Sequence, residues 1–226
     1  MDIKLNFIEQ GHGQPLILLH GNGESCDYFE HQIAYFSKQY HVIALDTRGH
    51  GKSPRGEKPF TIKQFAEDLH DFMDENGIEK AVILGFSDGG NIALTFALKY
   101  PERIEKLILN GANLFPSGVR PLYQWPIEIG YRIAKMFSKK SDKALHNAEM
   151  LGLMVNEPHI EPSELSHLTM PVLVVAGTND MIKDSHTRLI YKNLSNAQLS
   201  IIDGDHFVAN KNANAFNKVV DEFLRK

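Results

Sequence analysis

The sequence has little cysteine and no long apolar run, and both shortages narrow the classes of protein that it can encode. Cys26 is the only cysteine among 226 residues, so an intrachain disulfide is excluded and nothing indicates an oxidising compartment. No run approaches the roughly 20 apolar residues that cross a bilayer. The N-terminal MDIKLNFIEQ also lacks the basic and apolar regions of a secretory signal. We therefore expect a cytoplasmic protein without a membrane partner.

An excess of positive charge and the common ligand-binding motifs are missing as well. The 24 basic and 28 acidic residues give a net charge of −4, which predicts no nucleic-acid partner. The 11 histidines show neither HxH nor HExxH spacing, and no GxGxxG follows a strand-like segment. We expect no metal and no cofactor, and the sequence leaves the oligomeric state open.

Short apolar segments alternate with amphipathic ones along most of the chain. This alternation predicts an α/β protein with a mostly parallel, twisted sheet and helices on both faces. The segment TIKQFAEDLHDFMDE, residues 61–75, places its apolar residues on one helical face behind Thr61, a suitable N-cap. At the N-terminus, Ile3–Glu9 and Pro15–His20 flank a glycine turn and predict a hairpin.

One segment departs from this alternation. Residues 112–168 contain no good strand but two helical stretches, Pro126–Ser138, with its proline in the first turn, and Asp142–Asn156. An aromatic- and methionine-rich insertion between two strands is typical of a helical cap. We predict an α/β core of residues 1–111 and 169–226, with residues 112–168 as a small cap inserted after the sixth strand.

The stretch ILGFSDGGNIAL contains the pattern G-x-S-x-G from Gly85 to Gly89. A strand precedes it and a helix follows it, so the glycines allow the sharp turn that exposes the hydroxyl of Ser87. The same turn directs the backbone N–H of Asp88 toward the place where an oxyanion would form. We interpret Ser87 as a nucleophile and Asp88 N–H as an oxyanion donor.

The sequence HGNG, residues 20–23, directly follows the strand PLILL. A second oxyanion donor is expected from a loop at the end of a neighbouring strand, where glycines allow close approach of the backbone. The N–H of Asn22 or of Gly23 is the candidate.

These residues together resemble the α/β-hydrolase fold family over nearly the whole chain. The resemblance rests on the order of GxGxPLILLHG, DTRGHGKS at residues 46–53, GFSDGG, MPVLVVAGTNDMI and GDHF. It implies a serine esterase-like enzyme with a Ser87–Asp180–His206 catalytic triad. In this family the DxRGxGxS segment shapes a loop, so we assign no catalytic role to Arg48 or His50.

Other positions for the triad acid can be compared with Asp180. Some members carry the acid after the preceding strand, but LILNGAN offers only Asn110 and Asn113 there. Asp203 and Asp205 are too close in sequence to His206 to orient its ring from behind. This comparison favours Asp180.

The resemblance implies hydrolysis of a small or medium carboxylic ester through an acyl-enzyme, with a small-molecule ester as partner. Thioesterase, lactonase, perhydrolase and carbon–carbon bond hydrolase activities use the same triad, and a small-molecule receptor is an alternative from a different class. We expect substrate contacts from Gly23, Asp88 and Trp125. The Asp88 carboxylate either favours the N-terminus of its helix or binds a cationic substrate group, as in amino-acid-ester hydrolases resembling valacyclovir hydrolase.

Overall fold

A computed structural model describes residues 2–226, which form a seven-stranded sheet covered by helices. The sheet order is β1-β3-β2-β4-β5-β6-β7, and only the β1–β3 pair is antiparallel. The strands are β1 Phe7–Gln10, β2 Pro15–Leu19, β3 His41–Leu45, β4 Ala81–Phe86, β5 Ile104–Asn110, β6 Val172–Gly177 and β7 Ala197–Ile202. The helices are α1 Glu30–Phe36, α2 Ile62–Glu75, α3 Asp88–Lys99, α4 Pro121–Phe137, α5 Asp142–Asn156, α6 Asp184–Asn193, α7 Val208–Lys211 and α8 Ala213–Leu224. The predicted fold class is confirmed.

The predicted N-terminal hairpin is wrong. β1 pairs antiparallel with β3, with Phe7 opposite Leu45, whereas β2 lies between β3 and β4. The apolar pattern of β2 explains the difference, because four of its five residues are buried and need neighbouring strands on both sides. β1 is short and largely exposed, which suits an edge position.

Two apolar cores cover the two faces of the sheet. One joins Ile17, Ile83 and Leu109 to residues of α2 and α3, and the other joins Leu18, Leu84 and Ile108 to residues of α1 and α8. All six residues of β4 and all six of β6 are buried, as expected of strands with helices on both sides. These two strands lead directly into the segments that hold the site described below.

Helix α2 begins as its sequence predicts. Its N-cap, Thr61, accepts a hydrogen bond through Oγ1 from the Gln64 N–H at 3.1 Å. Ile62, Phe65 and Leu69 are buried on the inner face of the helix, and Asn76 ends it.

The two long helices between β5 and β6 are α4 and α5, which pack against each other. They follow the fifth strand rather than the sixth, because only β1 to β5 precede them within residues 2–226. Helix α4 begins at Pro121 and not at Pro126, which lies inside the helix and is exposed to solvent. Helix α5 begins behind Ser141, whose Oγ accepts a hydrogen bond from Ala144 N–H. The division into a core and a cap stays a prediction.

No helix within residues 2–226 has the length and apolar character needed to span a bilayer.

Candidate active site

Ser87 occupies a strained turn between β4 and α3. Its φ of 53° and ψ of −120° lie where L-amino acids are rarely found, and it is the only non-glycine residue with positive φ in the described chain. Neighbouring backbone groups hold this conformation. The Ser87 N–H donates to the Asn110 carbonyl at 2.8 Å, and the Ser87 carbonyl accepts from the N–H groups of Gly90 and Asn91. The strain therefore belongs to a turn that is fixed from both sides.

Gly89 lets α3 approach the end of β2. A Cβ atom at this position would overlap with the carbonyl oxygens of Leu19 and His20, which are backbone atoms with no room to move. Glycine is required here by space and not by its backbone angles. The close approach brings the loop after β2 beside Ser87.

His206 and Asp180 lie in line with the Ser87 hydroxyl. Nε2 of His206 is 2.9 Å from Ser87 Oγ, and Nδ1 is 2.6 Å from Oδ1 of Asp180. The imidazole is buried and packs against the ring of Phe86 at 4.9 Å between centroids. Gly111 lies against its other side, where a Cβ would overlap with the imidazole. The ring is therefore fixed by packing as well as by two hydrogen bonds.

The Asp180 carboxylate is buried but well supplied with donors. Burial by itself would raise its pKa, yet the contact with His206 and the N–H groups of Ile182 and Gly177 outweigh burial and lower the pKa. Asp180 thus stays ionised behind the imidazole. Because Ile182 donates to the same oxygen that contacts His206, the carboxylate is held in one orientation.

The two acidic residues beside His206 face elsewhere. Asp205 accepts from Lys211 Nζ and from Phe207 N–H, and Asp203 accepts from Thr178 Oγ1. These contacts agree with the sequence interpretation that both are loop carboxylates. Asn110, at the end of β5, offers an amide in place of a carboxylate.

The two predicted oxyanion donors are the backbone N–H groups of Asp88, which follows Ser87 in the chain, and of Asn22, whose side chain contacts Asp88. Asp88 is the first residue of α3. Asn22 lies in the loop after β2, which comes close to α3 because residue 89 is glycine. Neither of these backbone N–H groups has an acceptor in residues 2–226. Gly23 is exposed, with a φ of 74° and free space around the position of a Cβ atom.

The Asp88 side chain lies in a buried amide cluster. Its Oδ2 accepts from Asn22 Nδ2 at 2.9 Å, and its Oδ1 accepts from Asn91 Nδ2 at 3.3 Å. No lysine or arginine contacts this carboxylate within the described residues. Burial raises the pKa of Asp88, and the two amide donors and nearby His206 offset only part of that effect. The pKa of Asp88 is thus raised and the pKa of Asp180 is lowered at one site.

Asn22 also connects this cluster to α5. Its Nδ2 donates to the carbonyl of Met150 at 2.8 Å as well as to Asp88. The sequence pattern indicated only the backbone N–H of Asn22 as a site group, and it did not indicate Asn91 as a partner of Asp88. The spacing of Asp88 and Asn91, three residues apart on one helix, is the signal that could have found their contact.

Trp125 was predicted to contact the substrate and lies on helix α4. Its side chain is 68% exposed on α4, on the side of that helix that faces solvent. Of the predicted site residues, the structure brings together Ser87, Asp180, His206, Asp88 and Asn22.

A family model described as the alpha/beta hydrolase fold matches residues 14–139, more than half of the chain. The chain belongs to the α/β-hydrolase fold family. Curated relatives of this hydrolase span its whole length. It is 28% identical to human serine hydrolase BPHL over 247 residues, covering 99% of this chain and 84% of the human protein. It is 26% identical to 3-oxoadipate enol-lactonase 2 of Acinetobacter baylyi, covering 100% of this chain and 94% of that enzyme.

Solved structures support the same fold assignment. The enol-lactonase from Burkholderia xenovorans LB400 superposes on this hydrolase with a TM-score of 0.83 and 22% identity, over 99% of this chain and 97% of that one. At this level of identity the likeness concerns the fold alone.

The DTRGHGKS segment of this hydrolase forms a polar anchor beside the site. Arg48 is fully buried and contacts the carboxylates of Asp68 and Asp2. Asp46 accepts from the N–H groups of Cys26 and Lys52. Arg48 therefore joins the segment to α2 and to the N-terminal residues, and Asp46 joins it to the residues after β2.

Cys26, His20 and His186 are buried without a role in the line of groups at Ser87. Burial raises the pKa of the Cys26 thiol to about 12, so it carries no thiolate at neutral pH. His20 Nε2 accepts from Thr47 N–H, and His186 Nε2 accepts from Leu114 N–H. Residues 2–226 contain no group of three or more histidine, cysteine, aspartate or glutamate side chains arranged to hold a metal ion.

Proposed function

We propose that this α/β hydrolase cleaves a small or medium carboxylic ester through a covalent acyl-enzyme. The single observation that carries the proposal is the hydrogen-bonded line from Ser87 Oγ through His206 to Asp180, with distances of 2.9 and 2.6 Å. A serine hydroxyl is a weak nucleophile at neutral pH, and an adjacent imidazole that accepts its proton makes it reactive.

The first half of the reaction acylates Ser87. His206 Nε2 takes the hydroxyl proton as Oγ attacks the ester carbonyl carbon, and the carbonyl oxygen becomes an oxyanion. The N–H groups of Asn22 and Asp88 bind that oxyanion, each typically contributing about 3 kcal/mol to transition-state stabilisation. The tetrahedral intermediate then collapses, and His206 gives the proton to the departing alcohol.

The second half releases the acid. Water loses a proton to His206 and attacks the acyl carbon, and the proton returns to Ser87 Oγ as the ester bond to the enzyme breaks. Asp180 keeps the imidazole in one tautomer and stabilises its cation in both halves. The low pKa of Asp180 suits this role, because the carboxylate must remain ionised while the imidazole gains and loses a proton.

A lactone is the second substrate class that a specific observation favours. A lactone is a cyclic ester, and one curated relative with full-length coverage is an enol-lactonase by name. The chemistry at Ser87 is the same, except that the leaving alcohol remains tethered to the acyl group. A substrate panel should therefore include lactones beside open-chain esters.

The Asp88 carboxylate supports a narrower hypothesis, that the ester carries an α-amino group. Asp88 is a buried carboxylate next to the nucleophile and is held by amides without a cationic partner. An ammonium group would supply the missing opposite charge. If Asp88→Asn left the ratio of α-amino ester to plain ester turnover unchanged, this hypothesis would be wrong.

Fluorophosphonate labelling combined with ester hydrolysis tests the main proposal. We expect the wild-type protein to be labelled at Ser87 and to hydrolyse p-nitrophenyl esters. Ser87→Ala should abolish both signals, and His206→Ala should abolish labelling while leaving the fold intact by circular dichroism. Labelling at another residue, or full ester turnover by Ser87→Ala, would refute the assignment. Slow, single-turnover labelling by substrate would favour a receptor instead.

We also propose a cytoplasmic location, which the single buried Cys26 supports because the chain needs no disulfide. Fractionation of cells that produce the tagged protein tests this location.

A further inference from the structure

Helix α4 carries an unpartnered apolar surface, which we name the α4 apolar face. Its five side chains are 52–79% exposed. They follow one another at intervals of three or four residues, so they form a single stripe about 21 Å long on the helix. The α4 apolar face consists of Leu122, Trp125, Ile129, Ile133 and Met136.

Most of the exposed large hydrophobic side chains lie on helices α4 and α5. Twelve large hydrophobic side chains are exposed in residues 2–226, and eight of them belong to α4 or α5. Gln124 and Ala134, by contrast, are buried on the side of α4 that packs inward. Helix α4 therefore buries its less apolar side and presents its most apolar side to water. A contiguous apolar surface of this kind marks an interaction site.

Unpaired positive charge surrounds the C-terminal half of the stripe. Five basic side chains lie within residues 132–143 and all are exposed, whereas that segment contains a single acidic residue, Asp142. None of the five forms an ion pair with a carboxylate in the described part of the chain. They are Arg132, Lys135, Lys139, Lys140 and Lys143. The whole chain is acidic, with a net charge of −4, so this positive patch is a local feature.

We propose that the α4 apolar face docks on an anionic lipid surface, with α4 lying in the plane of the interface. An apolar stripe that contains tryptophan and is flanked by lysine and arginine is the pattern of an interfacial helix. Lipid acyl chains cover the stripe, and anionic headgroups supply the charge that the basic side chains lack. The earlier expectation of no membrane partner rested on the absence of a spanning run, which surface docking does not need. The proposal is independent of the reaction at Ser87.

Charge argues for lipid over a second copy of the chain. A symmetric dimer through this face would bring ten unpaired basic side chains to one interface. Between the start of α4 and the start of α5 the acidic residues are Glu128, which is only partly exposed, and Asp142, the first residue of α5. Such an interface would contain strong like-charge repulsion without the acidic partners needed to offset it.

Trp125 provides a direct probe, because it is the only tryptophan in the chain and lies within the stripe. The full chain is titrated with vesicles of phosphatidylcholine alone or mixed with phosphatidylglycerol. We expect a blue shift of Trp125 emission and co-sedimentation with the anionic vesicles only. Both signals should weaken in high salt, because salt screens the headgroup attraction.

Paired variants separate the apolar and electrostatic contributions. Ile129→Gln with Ile133→Gln should abolish co-sedimentation. Lys139→Gln with Lys140→Gln should weaken it about 25-fold, since each lysine near an anionic surface contributes about fivefold. The matched controls change exposed residues elsewhere and should bind like the wild type. They are Ile8→Gln with Ile201→Gln, and Lys192→Gln with Lys218→Gln.

Three outcomes would overturn the proposal. One is the absence of any blue shift and of sedimentation with anionic vesicles. Another is equal loss of binding in the control variants. A third is a vesicle-independent blue shift that grows with protein concentration and accompanies a doubled mass in light scattering, which would assign the face to a second copy.

Discussion

The turn at Ser87, between β4 and α3, and helix α4 differ in where their apolar side chains lie. Every residue of β4, which leads into this turn, is buried. Gly89 in the turn allows α3 to approach the backbone at the end of β2 closely. On α4, only two of 17 residues are buried, and its largest apolar side chains face solvent. The groups proposed to react thus depend on a packed interior that holds them in place. Helix α4 has few such constraints, and its sequence is free to serve contacts outside the molecule.

Replacing Asp180, the proposed triad acid, should produce the largest effect. Asp180→Asn should lower kcat/KM for an ester by about 10⁴-fold, because an amide cannot hold the imidazole in the right tautomer or stabilise its cation. The matched control is Asp205→Asn, which changes the residue beside His206 but removes only an exposed pair with Lys211. Its kcat/KM should stay within about threefold of the wild type. Equal losses in both variants would show that Asp180 is not the orienting carboxylate.

Truncating apolar side chains in the two regions should give unequal changes in stability. Leu84→Ala removes a fully buried side chain from β4 and should lower the free energy of unfolding by about 3 kcal/mol. Ile133→Ala, on the α4 apolar face, should change it by less than about 0.5 kcal/mol. Urea denaturation in the absence of lipid measures both. A large loss in Ile133→Ala would mean that this face is buried in solution.

Adding one methyl group tests how tightly the two regions pack. Gly89→Ala should lower the free energy of unfolding by about 2 kcal/mol, because the new Cβ overlaps with backbone oxygens of Leu19 and His20. Gly130 lies inside α4, and a Cβ there meets only the end of the Leu151 side chain of α5. Gly130→Ala should therefore stabilise the helix by about 0.5–1 kcal/mol. Thermal unfolding of the two variants should therefore shift in opposite directions. Two shifts of the same sign would contradict the contrast in packing.

The two buried aspartates should give the smallest effect, a difference in pH dependence. The pKa of Asp180 falls on folding, so its ionisation stabilises the fold above its ordinary pKa of 3.8, and this contribution is lost as pH falls through the folded-state pKa. The pKa of Asp88 rises on folding, so the fold loses stability as pH rises above 3.8. Relative to the wild type, Asp180→Asn should lose stability as pH rises toward 3.8, and Asp88→Asn should gain stability as pH rises beyond 3.8. Parallel curves from urea unfolding on both sides of pH 3.8 would contradict the opposite shifts.

Local patterns in the sequence predicted the parts of the fold that local chemistry decides. Thr61 identified the start of α2, and Ser141 preceded α5, because a side-chain cap needs only residues three positions away. The spacing of Gly85, Ser87 and Gly89 indicated a strand–turn–helix, which the structure contains.

Long-range choices could not be predicted in the same way. The pairing of β1 with β3 depends on hydrogen bonds to residues more than 30 positions away, and the sequence of β1 does not specify its partner. Helix α4 begins at Pro121, a second proline that suits the first helical position, and continues through Pro126. The sequence offered two prolines for that position and did not distinguish between them. The exposure of Trp125 could not be predicted either. An apolar stripe in a helix sequence does not show whether that side of the helix packs against protein or faces water.

The positive φ of Ser87 lowers the stability of the fold at the position where the proposed reaction needs a serine hydroxyl. Any L-amino acid there has an unfavourable backbone conformation, whereas glycine adopts it without that cost. Ser87→Gly should therefore give a more stable and inactive protein. A laboratory evolution experiment that selects for thermal tolerance alone should accumulate this substitution, and only a simultaneous screen for turnover would retain the serine.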